Sequence, residues 1–566
     1  MSPINLPATR KIGHLTILRQ PRVLSPREFN ALTFAERLDM VRQAPAREKY
    51  ALLIEAVDLE ALIEALPAQE LYLLVQELGP EDVPEILPLV TAAQMTIFLD
   101  LDCWRGDQMQ IPAVLRWLAL LLETGEEKTL AIARDIDPGM LALMLRKLVR
   151  VVHGPEDIDD EDLRASAVFR DGGYELEYLE PKAARLVATL LGILMRHDPP
   201  LFHRIIEGVR WELEAMLEED VYEARSMRLL DQGFPDPQRV REIFSWLDPD
   251  SYKPLAEKKI PPGLGGDGGI APGFPLAVAR ANDLLAAVLA AGLSESQAWE
   301  LVALANKVMV ADGIEVGNPD EVRTSVEGAL ALLNLALEHY SDGDPQRARE
   351  IFAGAYLEDL FRAGFGLLLR LQRRARALAK AEIFLWYDAA HRACIEGLRR
   401  ERPVFFVGMV SPERVGERPF ASRADLALAE AWLNTLEIQQ QLFAGPLAEL
   451  VPPSDWDLGG CIPAARADLT LSTLFLTALA NRLCGRPFTP EPLPVQELVA
   501  LHRLVSRDGH VDDTLRRETV RWVEELLPGA GPFAEAAFDE WQEGFCAVSE
   551  QDLDPHYIGG LILRLR

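Results

Sequence analysis

Apolar residues between Asp58 and Trp104 recur every twelve positions. Leu59, Leu71, Val83 and Met95 form one column, and Leu62, Leu74, Ile86 and Phe98 the next. Ile63, Val75, Leu87 and Leu99 make a third, Leu66, Leu78 and Val90 a fourth. Within each unit the spacing is i, i+3, i+4, i+7, the stripe of a two-turn helix. LPAQE, LGPED and VTAAQ separate the units and supply breakers and first-turn residues: Pro67, Gly79 with Pro80, then Thr91. Helices this short do not stand alone, so neighbours must stack and bury their stripes together, as in a solenoid.

Helical periodicity continues over Ile111–Glu123, Met140–Val151, Ala183–His197 and His203–Met216, and it resumes over most of the chain beyond Leu276. AVFRDGGYELEYLEP predicts a β-hairpin with strands Ala167–Phe169 and Tyr174–Tyr178, and VFFVGMV predicts a strand over Val404–Val410. KPLAEKKIPPGLGGDGGIAPGFP is too rich in Gly and Pro for a packed element and reads as a linker. The expected fold is mainly all-α. A basic arm (1–49) leads into a solenoid-like helical-repeat domain (50–252) with one small β-hairpin near 167–178. The linker (253–275) and a helical-bundle C-terminal domain (276–566) follow.

Composition narrows the function classes. The chain has 566 residues, 49% apolar and 26% charged, which is ordinary for globular protein and long enough for several domains. A net charge of −30 argues against nucleic acid as a partner. The charge is uneven: Met1–Tyr50 holds 9 Lys/Arg against 4 Asp/Glu, whereas Ala51–Trp104 holds 11 acids and no base. Five scattered cysteines without a C-x-x-C pair fit reduced thiols. MSPINLPATRKIGHLT lacks a long apolar core and every greasy window carries a charge, so neither a secretory signal nor a membrane span is expected. The protein is expected in the cytoplasm.

Candidate chemistry concentrates in acids. VMVADGIEVGNPDE (Val308–Glu321) and LVSRDGHVDDTLRRE (Leu504–Glu518) sound like calcium loops. The twelve-position pattern fails, because Gly313 at position six puts Val308 first and Pro319 last, and Gly509 puts Leu504 and Leu515 there. Read as helix punctuation, Gly313 ends one helix in the left-handed region, Asn318 caps the next, Pro319 fits its first turn and Glu321 its third position. In the second stretch Asp512 or Asp513 is the cap. FLDLDCWRGD places Asp100, Asp102 and Asp107 about Trp104, either as a cation-binding surface or as a helix end. Asp100, Asp102, Asp107, Asp312, Glu315 and Asp508 are therefore the metal candidates, for magnesium or calcium. Trp104 and the run Arg370, Arg373, Arg374 are interaction-surface candidates, the arginines alternatively serving as partners for the protein's own acids.

Local catalytic motifs are missing: no G-x-S-x-G, H-E-x-x-H or G-x-G-x-x-G after a strand occurs. His391 and Cys394 sit at i, i+3 without a second metal pair, and His510 and His556 lie in loops without a neighbouring nucleophile.

The twelve-residue units resemble the cytosolic N-terminal superhelical domain of MgtE-type magnesium transporters, whose repeats read leucine, proline, acid, acid, apolar pair. The likeness spans about 50 residues and implies an acidic helical superhelix; the transporter's membrane helices and regulatory pair have no counterpart here. RLLDQGFPD, FLDLDCW, LANKVMVADGIEV, EGALALLNLALEHYSDGD and TLSTLFLTALANRLCGRPFTPEPLP resemble, in phrase and order, a large helical family of bacterial proteins of unknown function. The Asp-Gly turns also resemble those of helical tellurite-resistance-type domains, where acids bind divalent ions. The favoured expectation is a cytosolic helical scaffold or adaptor that binds another protein through its superhelical surface. The alternatives are a divalent-cation-responsive regulator and an enzyme with a pocket between its halves.

Overall fold

The computed structural model describes residues 9–12, 15–18, 25–153, 170–171, 173–237, 240–256, 271–272, 283–411, 414, 416–453 and 456–565. The fold is mainly all-α, with a few short strand pairs. Two compact units emerge: Met1–Ser245 with Lys253–Arg362, and Trp246–Tyr252 with Ala363–Arg566. No described helix is long and apolar enough to cross a membrane.

In the first unit the twelve-residue columns form core. Leu62, Ile63, Leu71, Leu74, Val75, Val83, Ile86, Leu87, Val90, Met95, Phe98 and Leu99 are all buried. Three of the repeats are α-helices, Leu59–Ala65, Ala68–Leu78 and Ala92–Asp102. The unit between them is not: it consists of 3-10 turns at Pro80–Asp82 and Leu87–Leu89. Pro84 and Pro88 remove amide donors where an α-helix would need them, so the column is kept while the helix is lost. Thr91 then starts the last repeat with a capping box, its hydroxyl accepting from the Gln94 N–H while Gln94 returns a bond to the Thr91 N–H.

Two expectations are corrected further along. The helix expected to end at Val151 ends at Leu148, and Val149–His153 is a strand paired antiparallel with Tyr174–Tyr178. The VRVV stretch is β-branched and packs its valines on a pleated surface better than on a helix. The expected helix His203–Met216 is two helices, Pro199–Trp211 and Glu214–Asp231, broken at Glu212 and Leu213. Apolar spacing runs on across the break through Val209, Leu213 and Met216, which hides it from a periodicity reading. Of the expected hairpin, Tyr174–Tyr178 is a strand, and Ala167–Phe169 lies outside the described residues.

Helices Glu295–Asp312 and Pro319–Ser341 belong to this same unit. Gln69 and Asn306, both buried, exchange amide bonds: Gln69 Nε2 donates to Asn306 Oδ1 at 2.7 Å and Asn306 Nδ2 to Gln69 Oε1 at 3.1 Å. Such a reciprocal pair satisfies two amides that would otherwise be costly to bury.

The second unit packs Arg423–Ala444, Leu471–Leu483, Asp513–Leu526 and Gly531–Trp541. Phe533 stands edge-on to Phe443 and Phe475, with ring centroids 5.3 and 5.5 Å apart. Leu563–Arg564 is the middle of a three-stranded sheet, antiparallel to Cys461–Ile462 and parallel to Leu493–Pro494. The strand expected over Val404–Val410 is only Phe405–Phe406, paired with Glu417–Arg418; Val407–Met409 closes into a 3-10 turn.

One joint occurs in both units. Ala92–Asp102 passes to the next helix through the hairpin Trp104–Arg105/Gln108–Met109, and Leu498–Val505 does so through Ser506–Arg507/His510–Val511. The same backbone bond closes each, Gln110 N–H to Cys103 O and Asp512 N–H to Val505 O, both at 2.8 Å. At the second tip Asp508 and Gly509 have φ of 54° and 78°, as a two-residue hairpin turn requires.

Candidate functional site

Asp100 and Asp102 sit on the last turn of Ala92–Asp102, and both are consumed by the protein itself. The Asp100 side chain is fully buried. Its carboxylate accepts from Arg228 Nε at 2.7 Å and Nη2 at 3.0 Å, while Arg225 Nε donates to its backbone oxygen at 2.8 Å. Arg228 Nη1 also reaches Asp137 Oδ2 at 3.2 Å. Burial pushes the Asp100 carboxyl above its ordinary range, and Arg228 offsets only part of that push. Asp102 accepts from Tyr72 Oη at 2.9 Å, from Trp117 Nε1 at 2.6 Å and from Arg116. Burial and the Asp102 charge hold the Tyr72 hydroxyl well above its usual pKa. Trp104 is buried, 6.2 Å from the Tyr222 ring and capped by the Arg225 guanidinium at 5.4 Å.

The remaining acid candidates lie apart from this pair in role. Asp107 is exposed at the first hairpin tip and Asp508 at the second. Asp312 is the last residue of Glu295–Asp312, which ends on Gly313 at φ 66°. Glu315 is mostly exposed and pairs with Arg105. Asn318 caps the next helix, accepting from the Asp320 and Glu321 N–H groups. Glu321 reaches past the usual capping-box target and accepts from the Glu315 N–H at 3.0 Å. The loop so formed brings Gly317 against Asp102: a Cβ there would lie 2.6 Å from Asp102 Oδ1 and 3.0 Å from Tyr72 Oη. Among the described residues no three His, Cys, Asp or Glu side chains are grouped to hold a metal.

The basic run in the second unit is paired internally. Arg370 bonds Asp248 at 3.1 Å and Asp250 at 2.6 Å; Arg373 lies 3.8 Å over the Trp246 ring; Arg374 grips both oxygens of Glu437 at 2.8 and 2.9 Å. His391 turns its Nδ1 to Asp388 and packs 4.9 Å from Trp432, while buried Cys394 points its Sγ at Met409 Sδ, 3.6 Å away. His510 and His556 are exposed, and each ring bonds a near neighbour in sequence, His510 Nδ1 the Asp508 backbone oxygen and His556 Nδ1 the Asp554 carboxylate.

Sequence reading missed the outer face of Glu214–Asp231. Leu217 and Val221 pack inward, and Arg225 and Arg228 turn the same way to Asp100. Met216, Met227 and Leu230 are 61%, 70% and 55% exposed on the opposite side, with Trp211 and Leu213 exposed beside them at 66% and 67%. The signal was present: at 3.6 residues per turn, positions 216, 219, 220, 223, 227 and 230 share one face. Reading a single helix through Met216 concealed it.

This arrangement defines a mainly α-helical protein of two compact units, in which Asp100 and Asp102 are held by Arg228 and Arg116. The chain belongs to a family of unknown function (DUF6178), whose model matches residues 26–564. No curated protein and no solved structure matches it.

Proposed function

We propose that this protein is a helical scaffold or adaptor that binds another protein through the outer face of Glu214–Asp231 in its first unit. The observation that carries this reading is the exposure of Trp211, Leu213, Met216, Met227 and Leu230 around one helix and its entry turn. Large apolar side chains gathered on a surface mark interaction sites more often than scattered ones do, and methionines adapt to varied partners. All five cysteines are free, which supports a reducing, cytoplasmic setting.

A photo-crosslinking residue at position 227 tests the reading in the native host, against a control at Leu385, which is 63% exposed in the second unit. The expected result is an adduct specific to position 227, whose partner, produced separately, forms a stoichiometric complex that Met227→Glu abolishes. The same adducts from both positions overturn the proposal.

A further inference from the structure

We infer that the segment bound at this face is a basic amphipathic helix with two apolar anchors three turns apart; the inference rests on the scaffold reading above. The face has apolar ends and an acidic middle. Leu213 and Met216 stand at one end and Met227 and Leu230 at the other. Between them Glu219, Asp220 and Glu223 are exposed. No base answers them on this helix, because Arg225 and Arg228 are spent inward on Asp100 and Asp137. Lys147, which reaches this helix from Pro138–Leu148, is held by Glu214 and Glu218.

Met216 and Met227 are eleven residues apart, about 16 Å along the axis at 1.5 Å per residue. A partner helix lying along this one meets an apolar patch, three carboxylates, then a second apolar patch. Its complement carries hydrophobic residues at i and i+11 with Lys or Arg between. A second copy of this chain would set Glu219, Asp220 and Glu223 against their own equivalents, and an anionic membrane would meet the same repulsion. Charge complementarity therefore selects a cationic helix.

The test is fluorescence anisotropy on the full chain with a labelled helical peptide of about 18 residues, apolar at both anchors and lysine-rich between, and with its glutamate counterpart. The basic peptide binds, and it binds less tightly at high salt. Met227→Glu weakens it by about tenfold, as does the triple change Glu219→Lys, Asp220→Lys, Glu223→Lys. A triple reversal at exposed Glu401, Glu449 and Glu525 of the second unit leaves affinity unchanged. Equal loss from that control reduces the effect to the overall charge of −30 and overturns the inference. Equal binding of the glutamate peptide overturns it too, as does a concentration-dependent doubling of mass that Met227→Glu removes, or sedimentation with anionic vesicles through this face. If the crosslinked partner docks while neither peptide does, the cationic-helix inference falls and the scaffold reading stands.

Discussion

Asp100 and Arg228 are 128 positions apart in the chain, yet Arg228 grips both oxygens of the fully buried Asp100 carboxylate. For the aspartate that attraction does not fully offset the water it loses, and burial keeps its carboxyl above the ordinary range. Burial of Arg228 is outweighed by Asp100 and Asp137, which hold the guanidinium up. A pair of this kind is costly to break and cheap to replace. Asp100→Asn leaves Arg228 with Asp137 alone and is expected to destabilise the first unit by about 3 kcal/mol. Asp100→Leu with Arg228→Met is expected to recover most of that loss. Urea unfolding of single and double variants measures it; additive losses would show that the two charges do not couple.

Gly317 is required by space and not by backbone conformation. Its missing Cβ is the room occupied by Asp102 Oδ1 and Tyr72 Oη. The Asp102 carboxylate is pinned by Tyr72, Trp117 and Arg116 and cannot step aside without giving up a bond. Gly317→Ala is therefore expected to cost about 2 kcal/mol. Gly328, inside Pro319–Ser341, has nothing within 4 Å of a would-be Cβ. Gly328→Ala is expected to stabilise by about 0.5–1 kcal/mol through helix propensity. Thermal melts that rank the two variants the other way would refute the steric account.

Acid stability depends on Asp425. Burial alone would raise its carboxyl, but two bonds from Arg418, at 2.6 and 2.7 Å, and one from the Ala421 N–H outweigh it and hold the group below the ordinary range. A carboxyl depressed in the fold adds stability that is complete above its unfolded pKa, about 4, and is lost as pH falls through the folded value. Wild type should lose stability from about pH 4 downward. Asp425→Asn should be less stable at neutral pH with a flatter acid limb. Denaturation midpoints collected across that range check this, and parallel curves for the two proteins would exclude the mechanism.

Local patterns were legible in the sequence and distant pairings were not. The buried columns of the twelve-residue units, the left-handed Gly313 and the Asn318 cap each depend on neighbours within a few positions. The third repeat lost its helix because Pro84 and Pro88 sit where donors are needed, a local fact that the apolar column outvoted. Asp100 and Asp102 read as a cation-binding surface or a helix end because Arg228 and Tyr72 come from other helices, and nothing in FLDLDCWRGD announces them. The exposed row from Met216 to Leu230 was missed for another reason: the expected helix stopped at Met216, where Glu214–Asp231 is only beginning. Its hydrophobic spacing is sound, but spacing alone does not say which stripe faces the core, and here the inward stripe carries two arginines.

Thiol chemistry offers a check that uses the whole chain. Of the five free cysteines, Cys103, Cys394, Cys461 and Cys546 are buried, and only Cys484 is part-exposed. Burial pushes the Cys394 thiol up to about 12 and Cys546 to about 11, and it holds Cys103 well above its ordinary value. Cys484 is raised as well, by burial and by the Glu497 carboxylate, so little of it is thiolate at neutral pH. Thiolate is the attacking species, and access multiplies its effect. A thiol reagent should therefore modify a single cysteine slowly in the native protein and all five once the chain is unfolded. Cys484→Ser should abolish the native reaction, and Glu497→Gln should accelerate it by removing the carboxylate charge beside the sulfur. Rapid native modification of more than one thiol, followed by mass spectrometry of the labelled peptides, would show that a buried cysteine is reached through local opening of its helix.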